Sequence, residues 1–255
     1  MTVLQSKSLS VSIGSKPICT DLDYDLNPGE CWGLLGSNGI GKTTLLHVLA
    51  GLREPDKGKI FLDDQEISNY QKKNLARKTG VLFQDSEDTF PSTVIETVLT
   101  GRHPHIPFWS FESSDDFRIS KETLEKVALT EMVDRQVSTL SGGERRRLAI
   151  ATLMVQDPEI WLLDEPTNHL DLRYQMILLG MIVHHAAETE RGMLMVLHDV
   201  NLVLRFCTHA MLMIDHQSIL CGSVQEVITL ENLQRLYQHP FRLMVDDGAR
   251  LFYPV

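Results

Sequence analysis

The stretch Gly36-Ser37-Asn38-Gly39-Ile40-Gly41-Lys42-Thr43 constrains this chain more than any other, because it matches the phosphate-binding pattern GxxxxGK[ST]. Its placement matters as much as its residues. The turn Asn27-Pro28-Gly29-Glu30 leads into the apolar run Cys31 to Leu35, which predicts a short strand. After the loop, Leu45, Leu46, Val48 and Leu49 fall on a helical period that Gly51 stops. Strand, loop and helix in that order let backbone N–H groups converge on phosphate oxygens at the positive end of the helix. Lys42 can then reach the β- and γ-phosphates as a point charge, and Thr43 offers a hydroxyl to Mg²⁺.

Further apolar runs at Val81 to Phe83, Ile160 to Leu163, Leu194 to Leu197 and Met211 to Ile214 read as buried parallel strands alternating with helices. Val3 to Ile13 alternates in part, as a half-buried strand does. These signals predict a doubly wound α/β core. Residues 86–156 interrupt it with three helical periods, Val94 to Thr100, Ser120 to Leu129 and Gly142 to Met154. We therefore expect one domain of 255 residues, with 1–85 and 157–255 as the core and 86–156 as an inserted helical subdomain. At 43% hydrophobic content the chain can bury a sizeable core.

The strand Ile160-Trp161-Leu162-Leu163 ends in Asp164-Glu165, which puts two carboxylates where the sheet's edge meets a loop. Asp164 is expected to hold Mg²⁺, and Glu165 to orient or deprotonate an attacking water. Gln84 and His198 each follow a predicted strand, so both should project from the edge that carries the phosphate loop. Leu140-Ser141-Gly142-Gly143-Glu144 opens a helix with Ser141 as N-cap. Two glycines at a helix tip expose N–H groups, so a second anion site is expected there.

A net charge of −10 argues against nucleic acid as a partner, although a local basic patch stays possible. Cys19, Cys31, Cys207 and Cys221 form no CxxC pair and read as small buried apolar residues of a reducing compartment. The N-terminus has no continuous apolar h-region, and the run Met176 to Val183 is far shorter than the roughly 20 residues of a membrane span. The chain is expected in the cytoplasm unless a partner holds it at a membrane.

With the phosphate loop, Gln84, LSGGE, Asp164-Glu165 and His198 in that order, the sequence resembles the nucleotide-binding subunits of ABC transporters over nearly its whole length. By that resemblance Gly36 to Thr44 is the Walker A loop, Gln84 the Q-loop, Leu140 to Glu144 the signature and Ile160 to Glu165 Walker B. Asn168 to Asp171 is the D-loop, and His198 the switch histidine. The resemblance implies a P-loop ATPase cassette with a RecA-like core, an N-terminal antiparallel β portion, and ATP and Mg²⁺ as cofactors. It places nucleotide against Gly36, Ser37, Asn38, Gly39, Gly41, Lys42, Thr43, Thr44, Gln84 and Ile13, and the metal against Thr43, Gln84 and Asp164. Lys42, Glu165 and His198 would act in hydrolysis. A second copy, paired head to tail, would present Leu140, Ser141, Gly142, Gly143 and Glu144 to the same nucleotide. One position departs from the family, which usually stacks an aromatic residue on adenine where this chain has Ile13. Such stacking is worth about 1 to 3 kcal/mol, so weak, phosphate-dominated binding is expected.

Thr93 to His105 and His198-Asp199-Val200-Asn201-Leu202 look like the equivalent segments in importers of iron-siderophore, haem and cobalamin complexes. That likeness implies a separate integral-membrane permease as partner, a substrate-binding protein reached through it, and a peripheral place on the cytoplasmic face of the inner membrane. The motor of another uptake system or of an exporter shares these catalytic motifs, and a soluble ABC ATPase is a further alternative. A non-enzymatic regulatory nucleotide-binding module is one more, against which Glu165 and His198 both speak. His103 and His105 read as surface residues rather than metal ligands. Phe108, Trp109 and Phe111 either pack the small core of the helical subdomain, the favoured reading, or border a groove for a permease helix.

Overall fold

The computed structural model describes residues 3–84, 91–216, 218–246 and 248–255. Partial alternation builds the first sheet. Leu4–Ile13 (β1) buries Leu4, Leu9 and Val11, and pairs antiparallel with Lys16–Leu26 (β2) on one side and Lys57–Leu62 (β4) on the other. Gln65–Glu66 (β5) extends β4, so the order is β2-β1-β4-β5.

The second sheet forms from runs with no alternation. Cys31–Gly36 (β3), Ile160–Asp164 (β7) and Gly192–Val196 (β8) are buried at every position, as strands covered on both faces must be. With Thr79–Leu82 (β6), His209–Met213 (β9) and Ile219–Ser223 (β10) they give the order β10-β9-β3-β8-β7-β6, parallel except for β10. Register positions the site. Leu34 of β3 and Asp164 of β7 both pair with Val196 of β8, while Leu82 of β6 pairs with Leu163. The residues that leave these strands therefore emerge level, on one edge.

Two apolar clusters flank the sheet, because neighbouring strand residues face opposite ways. Leu34, Leu162, Leu194 and Met211 pack with Lys42–Leu49 (α1) and the antiparallel sheet. Leu35, Leu163, Met195 and Leu212 pack on the other side, against helices that include Val94–Leu99 (α3), Ser114–Lys126 (α4), Gly142–Gln156 (α5) and Leu172–Glu188 (α6). Lys72–Lys78 (α2) precedes β6; Val200–Phe206 (α7), Val224–Val227 (α8) and Leu230–Tyr237 (α9) follow in the later half. The chain closes in a hairpin, Phe241–Asp246 (β11) with Ala249–Pro254 (β12), whose Phe252 joins the second cluster. Among the described residues no helix is long and apolar enough to cross a membrane.

Several expectations shift. The strand expected at Val81 to Phe83 begins at Thr79 and ends at Leu82. Gly80 carries no apolar signal, yet a Cβ there would lie 2.3 Å from Leu153 and 2.5 Å from Pro158, so close packing selects glycine. The helix expected from Ser120 begins at Ser114, because Ser113 and Asp116 form a capping box ahead of the apolar period. Residues 86–90, which open the expected helical segment, lie outside the described residues. Cys19 and Cys31 are buried as expected, but Cys207 is half-buried and Cys221 is exposed on the edge strand β10.

The favoured reading of the aromatic trio is corrected: Phe108, Trp109 and Phe111 are 86, 91 and 91% exposed. Val94, Val98, Leu124 and Leu148 already fill the space between α3, α4 and α5. The segment is held instead by its backbone, with Arg77 Nε donating to the Pro104 carbonyl at 2.6 Å and Lys73 Nζ to that of Ile106. Of the two histidines, His103 is exposed, with Glu112 3.9 Å away, while His105 is half-buried with Nε2 2.8 Å from the Gln156 carbonyl.

Candidate nucleotide site

At the level edge of the parallel sheet a cavity of about 470 Å³ is lined by Ile13, Asn38, Gly39, Gly41, Lys42, Thr43, Thr44, Gln84, Glu165 and His198. The loop from β3 to α1 brings most of them together. Gly41 has φ +112° and a Cβ there would sit 2.5 Å from Ile18, so no other residue fits this close, left-handed turn. Lys42 Nζ donates to the carbonyls of Gly36, at 2.8 Å, and Ser37, at 3.2 Å, which folds the loop around its ammonium group. Burial pulls the Lys42 pKa below its ordinary value, and the charges of Glu165 and Asp164 oppose that shift. No side chain caps α1 and its first turn holds no acid, so this helix tip carries an uncompensated positive end.

Asp164 ends β7 fully buried, with neither side-chain oxygen hydrogen-bonded. Burial pushes its carboxyl up; the Thr43 hydroxyl facing it acts the other way, and the neighbouring Glu165 charge adds to the rise. A buried carboxylate with two unsatisfied oxygens beside a hydroxyl is a hard-donor set that suits a cation such as Mg²⁺, with phosphates supplying the remaining ligands. No cluster of three or more acidic, histidine or cysteine side chains that would hold a metal alone occurs among the described residues.

Glu165 follows at φ +47°. Its Oε1 lies 2.7 Å from His198 Nε2, and its Oε2 accepts from the Asn168 side-chain amide. The carboxylate is thus gripped from two sides while its residue lines the cavity. Gln84 is exposed at the cavity wall, one position beyond Phe83. Ile13 is 49% exposed at the end of β1, where Arg53 donates to the Ser12 carbonyl at 2.7 Å.

Leu140 to Glu144 are not among the residues lining this cavity. Ser141 caps α5, accepting from the Glu144 N–H at 3.3 Å, while Glu144 Oε2 accepts from the Ser141 N–H at 2.7 Å. A Cβ on Gly142 or Gly143 would lie 3.4 Å from His169 or 3.3 Å from Leu170, so the tip of α5 neighbours the turn that leads into α6. Asp171 caps α6, accepting from the Tyr174 N–H at 2.9 Å. Sequence reasoning passed over Arg146, and it placed Asn168 in a loop without foreseeing its contact with Glu165. Three consecutive arginines follow Glu144, but which one turns inward depends on the sheet they face.

Fold and cavity together define a P-loop nucleotide-binding protein of the α/β class. Comparison with known proteins narrows this. The ABC transporter family model matches residues 19–168. The ferric enterobactin transport ATP-binding protein FepC of Escherichia coli (strain K12) is 32% identical over 256 aligned positions, covering 99% of this chain and 94% of that protein. The hemin import ATP-binding protein HmuV of Bordetella pertussis is 34% identical, covering 92% of this chain and 91% of its own. Among solved structures, a metal-chelate type ABC transporter in an inward-facing conformation superposes with a TM-score of 0.86 at 28% identity, covering 100% of this chain and 98% of that one. The chain belongs to the ABC transporter family, as an ATP-binding and ATP-hydrolysing subunit.

Proposed function

We propose that this subunit hydrolyses ATP with Mg²⁺ to drive uptake of a metal chelate, such as a ferric siderophore, haem or a cobalamin, through a separate membrane permease. The cargo class is supported by the names of the relatives, which span siderophore and haem import, and by the metal-chelate transporter that shares the fold. The mechanism rests on one observation: the Glu165 carboxylate and His198 meet at 2.7 Å on the wall of the cavity that holds the phosphate loop.

Lys42 and the N–H groups of Gly36 to Thr44 bind the phosphates and take up charge that grows on the transferring group. Thr43, Asp164 and Gln84 would hold Mg²⁺, which when bound neutralises β- and γ-oxygens. Glu165 orients a water for in-line attack and accepts its proton, while His198 holds Glu165 in place and reaches the γ-phosphate. Ile13 meets the adenine by apolar contact alone. We further propose that residues 86–156 act as a helical subdomain beside the core, and that two copies pair head to tail. In that pair the Leu140 to Glu144 tip and Asp171 of one copy close over the nucleotide of the other, at the cytoplasmic face of the membrane. A substrate-binding protein would deliver cargo to the permease from the opposite side, and no nucleic acid takes part.

The test is uptake into proteoliposomes holding this subunit with the permease that co-purifies with it. ATP-dependent accumulation of a ferric siderophore, haem or cobalamin is expected. Glu165→Gln should abolish it while ATP stays bound, and Lys42→Ala should abolish binding itself. Hydrolysis without accumulation of any metal chelate would overturn the cargo class; undiminished turnover in Glu165→Gln would overturn the mechanism.

A further inference from the structure

Arg146 sits one turn into α5, four residues beyond Gly142, and only 6% of it is exposed. Its guanidinium crosses to the edge of the parallel sheet. Nη1 donates to the carbonyl of Phe83 at 2.6 Å and, more weakly, to that of Gln84 at 3.4 Å. Nη2 donates to the Glu165 carbonyl at 2.6 Å and to that of Asp164, and Nε donates to Pro166 at 3.2 Å. Phe83 and Gln84 leave β6, while Asp164 ends β7, its parallel neighbour, and Glu165 leaves it. One side chain of the signature helix thus grips the exits of both strands that carry the metal-facing and water-facing groups.

Two physical features make this grip more than packing. Glu165 is held at φ +47°, a left-handed conformation that is unfavourable for a residue with a Cβ, so the surrounding contacts must impose it. Two of the carbonyls Arg146 binds flank that residue's own backbone turn. A planar guanidinium also offers five donors in a rigid fork, which lets it bridge two loops at once; an ammonium or a single amide cannot match that span.

We infer that Arg146 is a positioning residue that couples the orientation of the signature helix to the aim of the Glu165 carboxylate. The inference rests on reading Glu165 as the group that activates water. Rotation of α5 relative to the sheet pulls on the Glu165 turn through these carbonyls, so hydrolysis is competent only when the signature tip is in register with its own core. The Q-loop exit moves in the same linkage, because Phe83 and Gln84 share the fork.

The experiment compares Arg146→Lys, Arg146→Gln and Arg146→Ala with Glu165→Gln in the full subunit, reading ATPase kcat, KM for ATP and thermal stability. A misaimed group at about 1 Å costs on the order of a hundredfold in rate, so kcat should fall about tenfold to a hundredfold while KM stays within about threefold. Arg146→Lys, which keeps the charge and loses the fork, should fall with the others. Millimolar guanidinium should restore part of the turnover of Arg146→Ala and none to Glu165→Gln. If Arg146→Ala does not fold, Arg146→Lys carries the test. Wild-type kcat in a folded Arg146→Lys or Arg146→Gln, or a loss that follows only the folded fraction, overturns the inference while leaving the Glu165 assignment intact. Turnover retained in Glu165→Gln instead overturns the assignment beneath it.

Discussion

The tips of α1 and α5 are both glycine-rich helix starts, and they are finished in opposite ways. At α1 the cap is Gly41 in a left-handed turn, with no side-chain cap and no acid in the first turn. Around it lie a buried ammonium and a buried carboxylate that makes no close hydrogen bond, with the Thr43 hydroxyl facing it. At α5 the cap is Ser141, and Glu144 closes a capping box that satisfies two N–H groups from within the chain. The α1 tip is left chemically open, so an anion arriving there relieves existing desolvation and unmatched charge. The α5 tip has its capping box closed, so an anion arriving there meets only the N–H groups that the box leaves open and relieves less. On the proposed function, this difference puts most of the nucleotide affinity at α1 and suits the α5 tip to a second, closing role.

The two ends should also respond to pH with opposite signs. Asp164 titrates above its ordinary value of 3.8 because it is buried, so the folded chain binds that proton more tightly than the unfolded one. Its ionisation costs stability above the raised pKa, and the cost disappears below the ordinary value. Glu144 titrates below its ordinary 4.5 because the Ser141 N–H binds it. Its contribution is full above 4.5 and is lost as pH falls through the lowered value.

The largest effect expected from breaking this contrast is at Asp164. Asp164→Asn removes the buried charge, so the nucleotide-free chain should gain about 1 kcal/mol at neutral pH. Mg²⁺-dependent turnover should fall on the order of a hundredfold or more. The stability gain should shrink as pH approaches 4. Denaturant melts at pH 4 and pH 7 beside ATPase rates check it; a destabilised apo variant at neutral pH would show that Asp164 has a partner the open-tip account denies.

Next in size is Ile13→Tyr, which tests whether the phosphate grip at α1 is sufficient by itself. A stacking ring should tighten nucleotide about tenfold, read by titration with a fluorescent ATP analogue. An unchanged dissociation constant would mean that the base already has a platform. The smallest effect is Glu144→Ala, expected to cost under about 1 kcal/mol at pH 7, with the gap to wild type closing below about pH 4.5. A gap that widens in acid would contradict the satisfied-tip account.

Much of this molecule is legible before any coordinates exist. Gly36 to Thr43, Asp164 and Glu165 stand out as candidates because their chemistry needs a residue type at a fixed step from a strand end, and burial on both faces writes β3, β7 and β8 as unbroken apolar runs. β6 was mislocated because Thr79 is a buried polar residue and Gly80 is chosen by close packing against Leu153 and Pro158, and neither leaves a hydrophobic trace. The aromatic trio was misread for a related reason: composition announces that Phe108, Trp109 and Phe111 are apolar, but not that the space behind them is already full.

The sequence by itself determined the phosphate loop, the carboxylate pair, the helix cap at Ser141 and the parallel α/β class, since each depends on residues near one another along the chain. Only the tertiary structure decided that Glu165 meets His198, that both Asp164 oxygens stay unpaired, and that Arg146 rather than Arg145 or Arg147 holds both strand exits. Those facts depend on which surfaces face each other across β6, β7, β8 and α5. Local periodicity reports that a residue is buried; it carries no information about the partner it is buried against.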